Sequence, residues 1–237
     1  MRFQPELVAL LIILTFAALL LLTIRASRRQ SAQKKHQALT LGYEEVTSRP
    51  DQLIRRVESV YKNRENQSIQ VNQVYTKHDW EQEFFIFDIR DSGQDSNDLG
   101  SEVFGLISNQ LALPHFSLTT LPGYDSGSLR GGLMEGLLNK VLSVVERYHG
   151  LKRIEFPGRQ DFDHQVIIFG KDQEAVKDLM NGIDLRSISR ITTPVHISGA
   201  DDFLAVDFSQ MGSFQDPEHD LIAQHEKFTR IARYFTN

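Results

Sequence analysis

The chain has no cysteine, one tryptophan among its 237 residues, and seven prolines. Without cysteine, disulfides, thiolate metal sites and cysteine nucleophiles are excluded in any compartment. Its formal net charge is -5, so the basic excess expected of a nucleic-acid binder is missing. No G-x-S-x-G occurs, which removes the nucleophile elbow of the hydrolases. No glycine-rich loop runs into G-K-S or G-K-T, so a P-loop is also excluded. No repeat at a solenoid period is visible.

Present instead is one long apolar run. Leu7–Ile24 reads LVALLIILTFAALLLLTI, eighteen residues with no charge, glycine or proline. As a helix rising about 1.5 Å per residue it would span roughly 27 Å, close to a bilayer's hydrocarbon core. A cleaved signal peptide would carry a shorter apolar core and a small-residue cleavage site. Here Arg25, Arg28 and Arg29 follow directly. The expectation is an uncleaved single-pass anchor in the cell (inner or plasma) membrane. Arg2 and Glu6 precede the run, whereas Arg25, Arg28, Arg29, Lys34 and Lys35 follow it. That asymmetry predicts a cytoplasmic C-terminal domain. The same five cations form a basic flank that would set topology and face anionic lipid head groups.

Residues 1–24 are therefore read as the anchor, 25–42 as a basic, Gln-rich helical linker ended by Gly42, and 43–237 as a soluble domain. Proline and glycine cluster in 122–132, a candidate subdivision or exposed loop. After Ser48 and Pro50, the spacing of Leu53, Ile54, Val57, Val60 and Tyr61 predicts a helix over 51–62. Ser68–Thr76 alternates with a slip between Val71 and Val74, which suggests a bulged strand. Glu83–Arg90 is apolar on nearly both faces and reads as a central strand. Glu102–Ser108 completes a meander. Pro114 demotes Leu111–Leu118 to an edge strand or an extended loop.

Leu133–Tyr148 has a continuous apolar helical face. Gln165–Phe169 reads as a strand, followed by a short helix with Val176 and Met180 inward. Pro194–Ser198 and Asp202–Asp207, separated by Gly199–Asp201, form a predicted hairpin. Asp216 and Pro217 mark the start of a last helix carrying His225 and Phe228 inward. Strands that cluster rather than alternate with helices make the domain α+β, with antiparallel sheet packed by helices.

Candidate sites are incomplete. Asp161, Asp163 and His164 could form a carboxylate–imidazole cluster, but no second histidine stands at metal-ligand spacing. His115 and Ser117 share one side of an extended segment. Gly127–Gly132 (GSLRGG) precedes a helix without the lysine a phosphate loop needs, and Gly132 and Gly136 form a G-x-x-x-G. His219 and His225 fall on different faces of one helix. Trp80, beside His78 and Asp79, reads as a strand-end anchor.

The segments LPHFSL, IEFP and DFDHQVIIFGKDQEAVKDLM resemble a family of uncharacterised membrane-anchored bacterial proteins with an L-P-x-F-x-L segment. Phe116, Leu118, Phe156, Phe162, Gly170, Asp172 and Val176 carry the likeness, over roughly residues 43–210. It implies a shared core and turns, and brings no catalytic residue or cofactor. Three functions follow as expectations. The first is a non-enzymatic interaction or scaffold module that binds a protein partner or a second copy. The second is a membrane-associated hydrolase using Asp161, Asp163, His164 or His115. The third is a subunit of a larger membrane complex.

Overall fold

The computed structural model describes residues 5–61, 68–91, 101–120, 151–156, 166–191, 195–208 and 220–236. Side chains at 5–13, 17, 18, 26, 91 and 189 are outside that description. The helix expected over Leu133–Tyr148, the loop at 122–132, the Asp161–His164 cluster, Pro217 and His219 lie outside the described residues.

Helix α1 runs without interruption from Pro5 to Thr40. The Gln-rich stretch is thus helical, as its lack of proline and glycine implied. Gly42 ends it at φ 81°, a value glycine adopts without a Cβ clash. The Gly42 N–H donates to the Leu39 carbonyl and the Tyr43 N–H to the Ala38 carbonyl, both at 3.0 Å. These are the paired closing bonds of a Schellman end, and Tyr43 packs back into the same core as Ala38.

Among the described residues nine strands form one sheet: β1 (Glu44–Glu45), β2 (Ile69–Asp79), β3 (Gln82–Asp91), β4 (Ser101–Ser108), β5 (Leu113–Thr120), β6 (Lys152–Arg153), β7 (Val166–Gly170), β8 (His196–Asp201) and β9 (Phe203–Asp207). Their order is β1-β2-β3-β4-β9-β8-β5-β7-β6, and every neighbouring pair is antiparallel. The β2–β3–β4 meander is present. Its slip is a bulge between Asn72 and Tyr75, with Gln73 at φ 47°.

Alternation along the strands divides the core in two. Ile86, Phe104, Leu106, Leu118, Ile197 and Leu204 point to one face. That face is covered by the C-terminal end of α1, by α3 (Gln173–Gly182), by α4 (Leu185–Ser189) and by α5 (Leu221–Thr236). Phe228 and Phe235 of α5 reach Phe104 at 5.4 Å and stack on Phe116 at 5.6 Å. Phe85, Phe87, Val103, Phe203 and Ala205 point to the other face, under Leu53, Val57 and Val60 of α2 (Asp51–Tyr61). Each of those three buried α2 side chains contributes roughly 1.5–3 kcal/mol.

The expectation for Pro114 is corrected. β5 is an inner strand, paired with β8 on one side and β7 on the other. Pro114 lies in the register shift between Leu113 and Phe116, and pairing to β7 begins only at Phe116. Its missing N–H therefore falls where the ladder is already broken. The expected spacer Gly199–Asp201 is also corrected: these residues complete β8, and the turn to β9 is tight because Ala200 pairs with Phe203. The described part of the last helix starts after Asp220, whose carboxylate accepts the Ile222 N–H at 3.0 Å.

Among the described residues no helix is long and apolar enough to cross a membrane. The anchor expected over Leu7–Ile24 begins in the part of α1 whose side chains are not described.

Gly199 tests the packing. A Cβ there would stand 2.7 Å from Phe116 and 2.8 Å from Leu113, whereas nothing lies within 4 Å of one at Gly182. Gly199→Ala is expected to lower the unfolding free energy by about 1–3 kcal/mol. Gly182→Ala, at the end of α3, is expected to raise it by about 0.5–1 kcal/mol. Urea titration of the two variants gives opposite shifts if this packing holds.

Candidate functional site

Among the described residues two arrangements bring functional side chains together: the junction between α1 and the sheet, and a polar seam inside the sheet.

At the junction, Lys34 turns from the helix onto β3 and β4. Its Nζ lies 2.5 Å from Asp88 and 2.9 Å from Glu102, and its side chain is only 11% exposed. Burial works against the lysine's charge, but Glu102 and Asp88 outweigh it, so its pKa is raised. Asp88 and Glu102 are register partners on adjacent strands, two like charges that would repel without the cation. Lys35 pairs with Glu45 of β1 at 2.5 Å, in the open. Gln73 donates to Ser31 at 3.1 Å, and Lys77 donates to the Leu41 carbonyl at 3.0 Å.

Two of the five cations of the expected basic flank thus make ion pairs with the sheet. Lys34 belongs to the fold and Lys35 makes a surface pair with it. Arg25, Arg28 and Arg29 are exposed and have no ion pair with the described residues. Sequence reading grouped the five by charge alone. The partners of Lys34 stand 54 and 68 positions away, beyond any local pattern.

The seam lies on β5 and β8, on the α2 side of the sheet. Thr119 pairs in register with His196, and Ser117 with Ser198. Thr119 Oγ1 is 2.9 Å from His196 Nδ1, and Ser198 Oγ is 2.9 Å from His196 Nε2. Asp207 of β9 is the register partner of His196 on its other side. All five of these polar residues are buried. Further along β5, Ser117 Oγ and His115 Nε2 are buried without a hydrogen-bond partner. His115 is held below the usual imidazole pKa, first by burial and then by Lys171, against a hydrogen bond with the Val60 backbone.

A serine beside an imidazole is the contact a nucleophile needs. Here, however, a threonine hydroxyl rather than a carboxylate meets Nδ1, and Ser198 is wholly inaccessible. The two contacts engage both ring nitrogens, so the imidazole ties β5 to its own strand β8 inside the sheet. Sequence reading missed His196. The available signal was the alternation His196–Ile197–Ser198, which puts both polar groups on one face of a strand. The hydrolase expectation also drew on Asp161, Asp163 and His164, which lie outside the described residues.

His225 on α5 packs edge-on against Tyr43 with ring centres 5.6 Å apart. Burial, then Lys77, keeps its pKa below the usual value. The remaining acidic and imidazole groups are dispersed: among the described residues no three could hold a metal ion.

No protein-family profile matches the chain, and no curated protein matches it. Among solved structures, the crystal structure of the mycobacterial trehalose monomycolate transport factor A, TtfA, superposes with a TM-score of 0.48 at 14% identity. The match covers 87% of this chain and 92% of that one.

Removing Lys34 leaves Asp88 and Glu102 facing each other. Both carboxylates are about a quarter exposed, so Lys34→Ala is expected to cost about 1–3 kcal/mol, less than a fully buried pair. Lys35→Ala should leave the denaturation midpoint unchanged, and equal losses from the two would refute the distinction.

The two depressed histidines give a pH dependence. Below their ordinary value of 6.5 the unfolded chain binds protons that the folded chain resists. Their contribution is complete above that pH and declines as pH falls toward the lowered values. Thermal unfolding between pH 7.5 and roughly 5 should show Tm falling with acid, and less steeply in His225→Gln. A Tm that rises on acidification rules this out.

Proposed function

We propose that the chain is a single-pass membrane protein whose α+β domain acts as an interaction or scaffold module. The observation that carries this reading is the split character of α1. Leu14, Phe16, Leu19, Leu20, Leu21 and Leu22 are each more than half exposed. Four successive residues at about 100° per residue face every side of a helix, so this is apolar surface all round. The same unbroken helix is docked on the sheet from Ser31 onward, through Lys34 and Ala38. Its apolar run Leu7–Ile24 extends for roughly 27 Å, close to a hydrocarbon core of about 30 Å.

Surface of this kind requires a cover, and a bilayer fits its length and its lack of a polar face. Arg25, Arg28 and Arg29 then lie at the head groups and favour a cytoplasmic domain. Ser31, where docking begins, is seven residues past Ile24, or about 10 Å along the axis. The domain would thus sit just below the membrane surface on a rigid stalk. The scaffold role rests on this placement, and on a seam whose Ser198 and His196 are sealed from any substrate.

Alkaline carbonate should leave the full chain in the membrane pellet and release a chain lacking residues 7–24. Because the protein has no cysteine, a single Asn181→Cys reports orientation. A membrane-impermeant maleimide should label it only after permeabilisation, and labelling of intact cells overturns the cytoplasmic placement. Purification of the intact protein from detergent should bring a partner or a second copy. A chain that purifies alone and binds nothing sinks the scaffold reading.

A further inference from the structure

Trp80 is the only tryptophan in the chain and is fully exposed. It occupies the two-residue turn between β2 and β3, closed by the Asp79–Gln82 pair. Its φ is 54°, a region where glycine or asparagine is preferred in such turns. A large aromatic side chain gains nothing for folding there: it is out of the core and at an unfavourable backbone angle. It makes no ring or cation contact among the described residues. A residue that costs stability and buries nothing points toward a use in recognition.

The surroundings say what would be recognised. Asp79 and Glu81 flank Trp80, and both are exposed. From His78 to Glu83, and in the adjoining turn Ser108–Gln110, there is no lysine or arginine. Gln82 and Gln110 link the two turns at 3.5 Å. The preceding cation, Lys77, is engaged with the Leu41 carbonyl and lies over the Tyr43 ring at 5.9 Å. An indole face between two exposed carboxylates attracts a guanidinium or ammonium group through its quadrupole and through charge.

Its place in the fold selects the source of that cation. Gln73 meets Ser31 and Lys77 meets Leu41, so β2 runs in the same direction as α1. The β2–β3 turn is therefore at the end of the sheet remote from the apolar part of α1. Counting along both elements puts Trp80 about 35 Å from Ile24, too far to touch the bilayer that α1 would enter.

We propose that the Asp79–Trp80–Glu81 turn is the docking point for an arginine- or lysine-bearing segment of a protein partner, held by cation–π and ionic contacts. This rests on the scaffold reading and names the surface that performs it.

Trp80 emission is an isolated reporter, because no other tryptophan contributes. With the intact chain in neutral detergent at low salt, a tri-arginine peptide should change that emission saturably. Asp79→Asn combined with Glu81→Gln should weaken the binding at least fivefold, and 150 mM salt should weaken it as well. A tri-glutamate peptide should have no effect. Emission that does not respond, or that responds equally in the doubly substituted chain, overturns the proposal. So does quenching of Trp80 by brominated phosphatidylcholine after reconstitution, which would place the turn on lipid. A partner recovered equally by the wild-type chain and by Trp80→Ala would leave the scaffold reading standing and remove this site from it.

Discussion

A sheet whose middle strands are apolar on both sides must be covered twice, and most of this fold answers that requirement. In β3, Phe85 and Phe87 point one way while Phe84 and Ile86 point the other. No single layer of helices can satisfy both sets. Helix α2 supplies one cover with three buried side chains, and α1, α3, α4 and α5 supply the other. Close contact of these layers fixes where small residues must stand. Gly199 lies between Phe116 and Leu113, where a side chain would collide, and Gly105 between Phe87 and Phe203, where one would fit only tightly.

Helix α1 meets the sheet at its C-terminal end. The C-terminal end of α1 carries little apolar surface of its own, with Ala38 its one fully buried hydrophobic residue. Its hold on the sheet is largely ionic, through Lys34 between Asp88 and Glu102, reinforced by the Schellman end that sends Tyr43 into the core. An ionic clamp orients a helix more narrowly than greasy packing would, because charge and hydrogen bonds constrain direction. These contacts fix the C-terminal end of α1, from Ser31 onward, against the sheet.

Much of this was legible locally. The period of Leu53, Val57 and Val60 gave α2, the slip at Val71–Val74 gave the bulge, and the two-sided Phe pattern gave the inner position of β3. These features depend on neighbours within a few residues, where helix and strand periods act directly. Pro114 misled because its cost depends on whether an N–H is needed at that point, which only the register of β5 against β8 decides. The ion pairs of Lys34 were not legible because a cation beside an apolar run has the same local appearance whether its partner is lipid or protein. His196 was overlooked because Thr119 is brought to it by strand pairing across 77 positions.

The sequence by itself determined the apolar run, the asymmetry of charge after it, the absence of cysteine chemistry, and the α+β alternation of elements. Those are properties of composition and short-range order. Tertiary structure alone decided which cations belong to the fold, which histidine is sealed between two hydroxyls, and that Trp80 stands bare at a strained turn. Burial and pairing are set by residues far apart in the chain, and their energies exist only once the sheet has assembled.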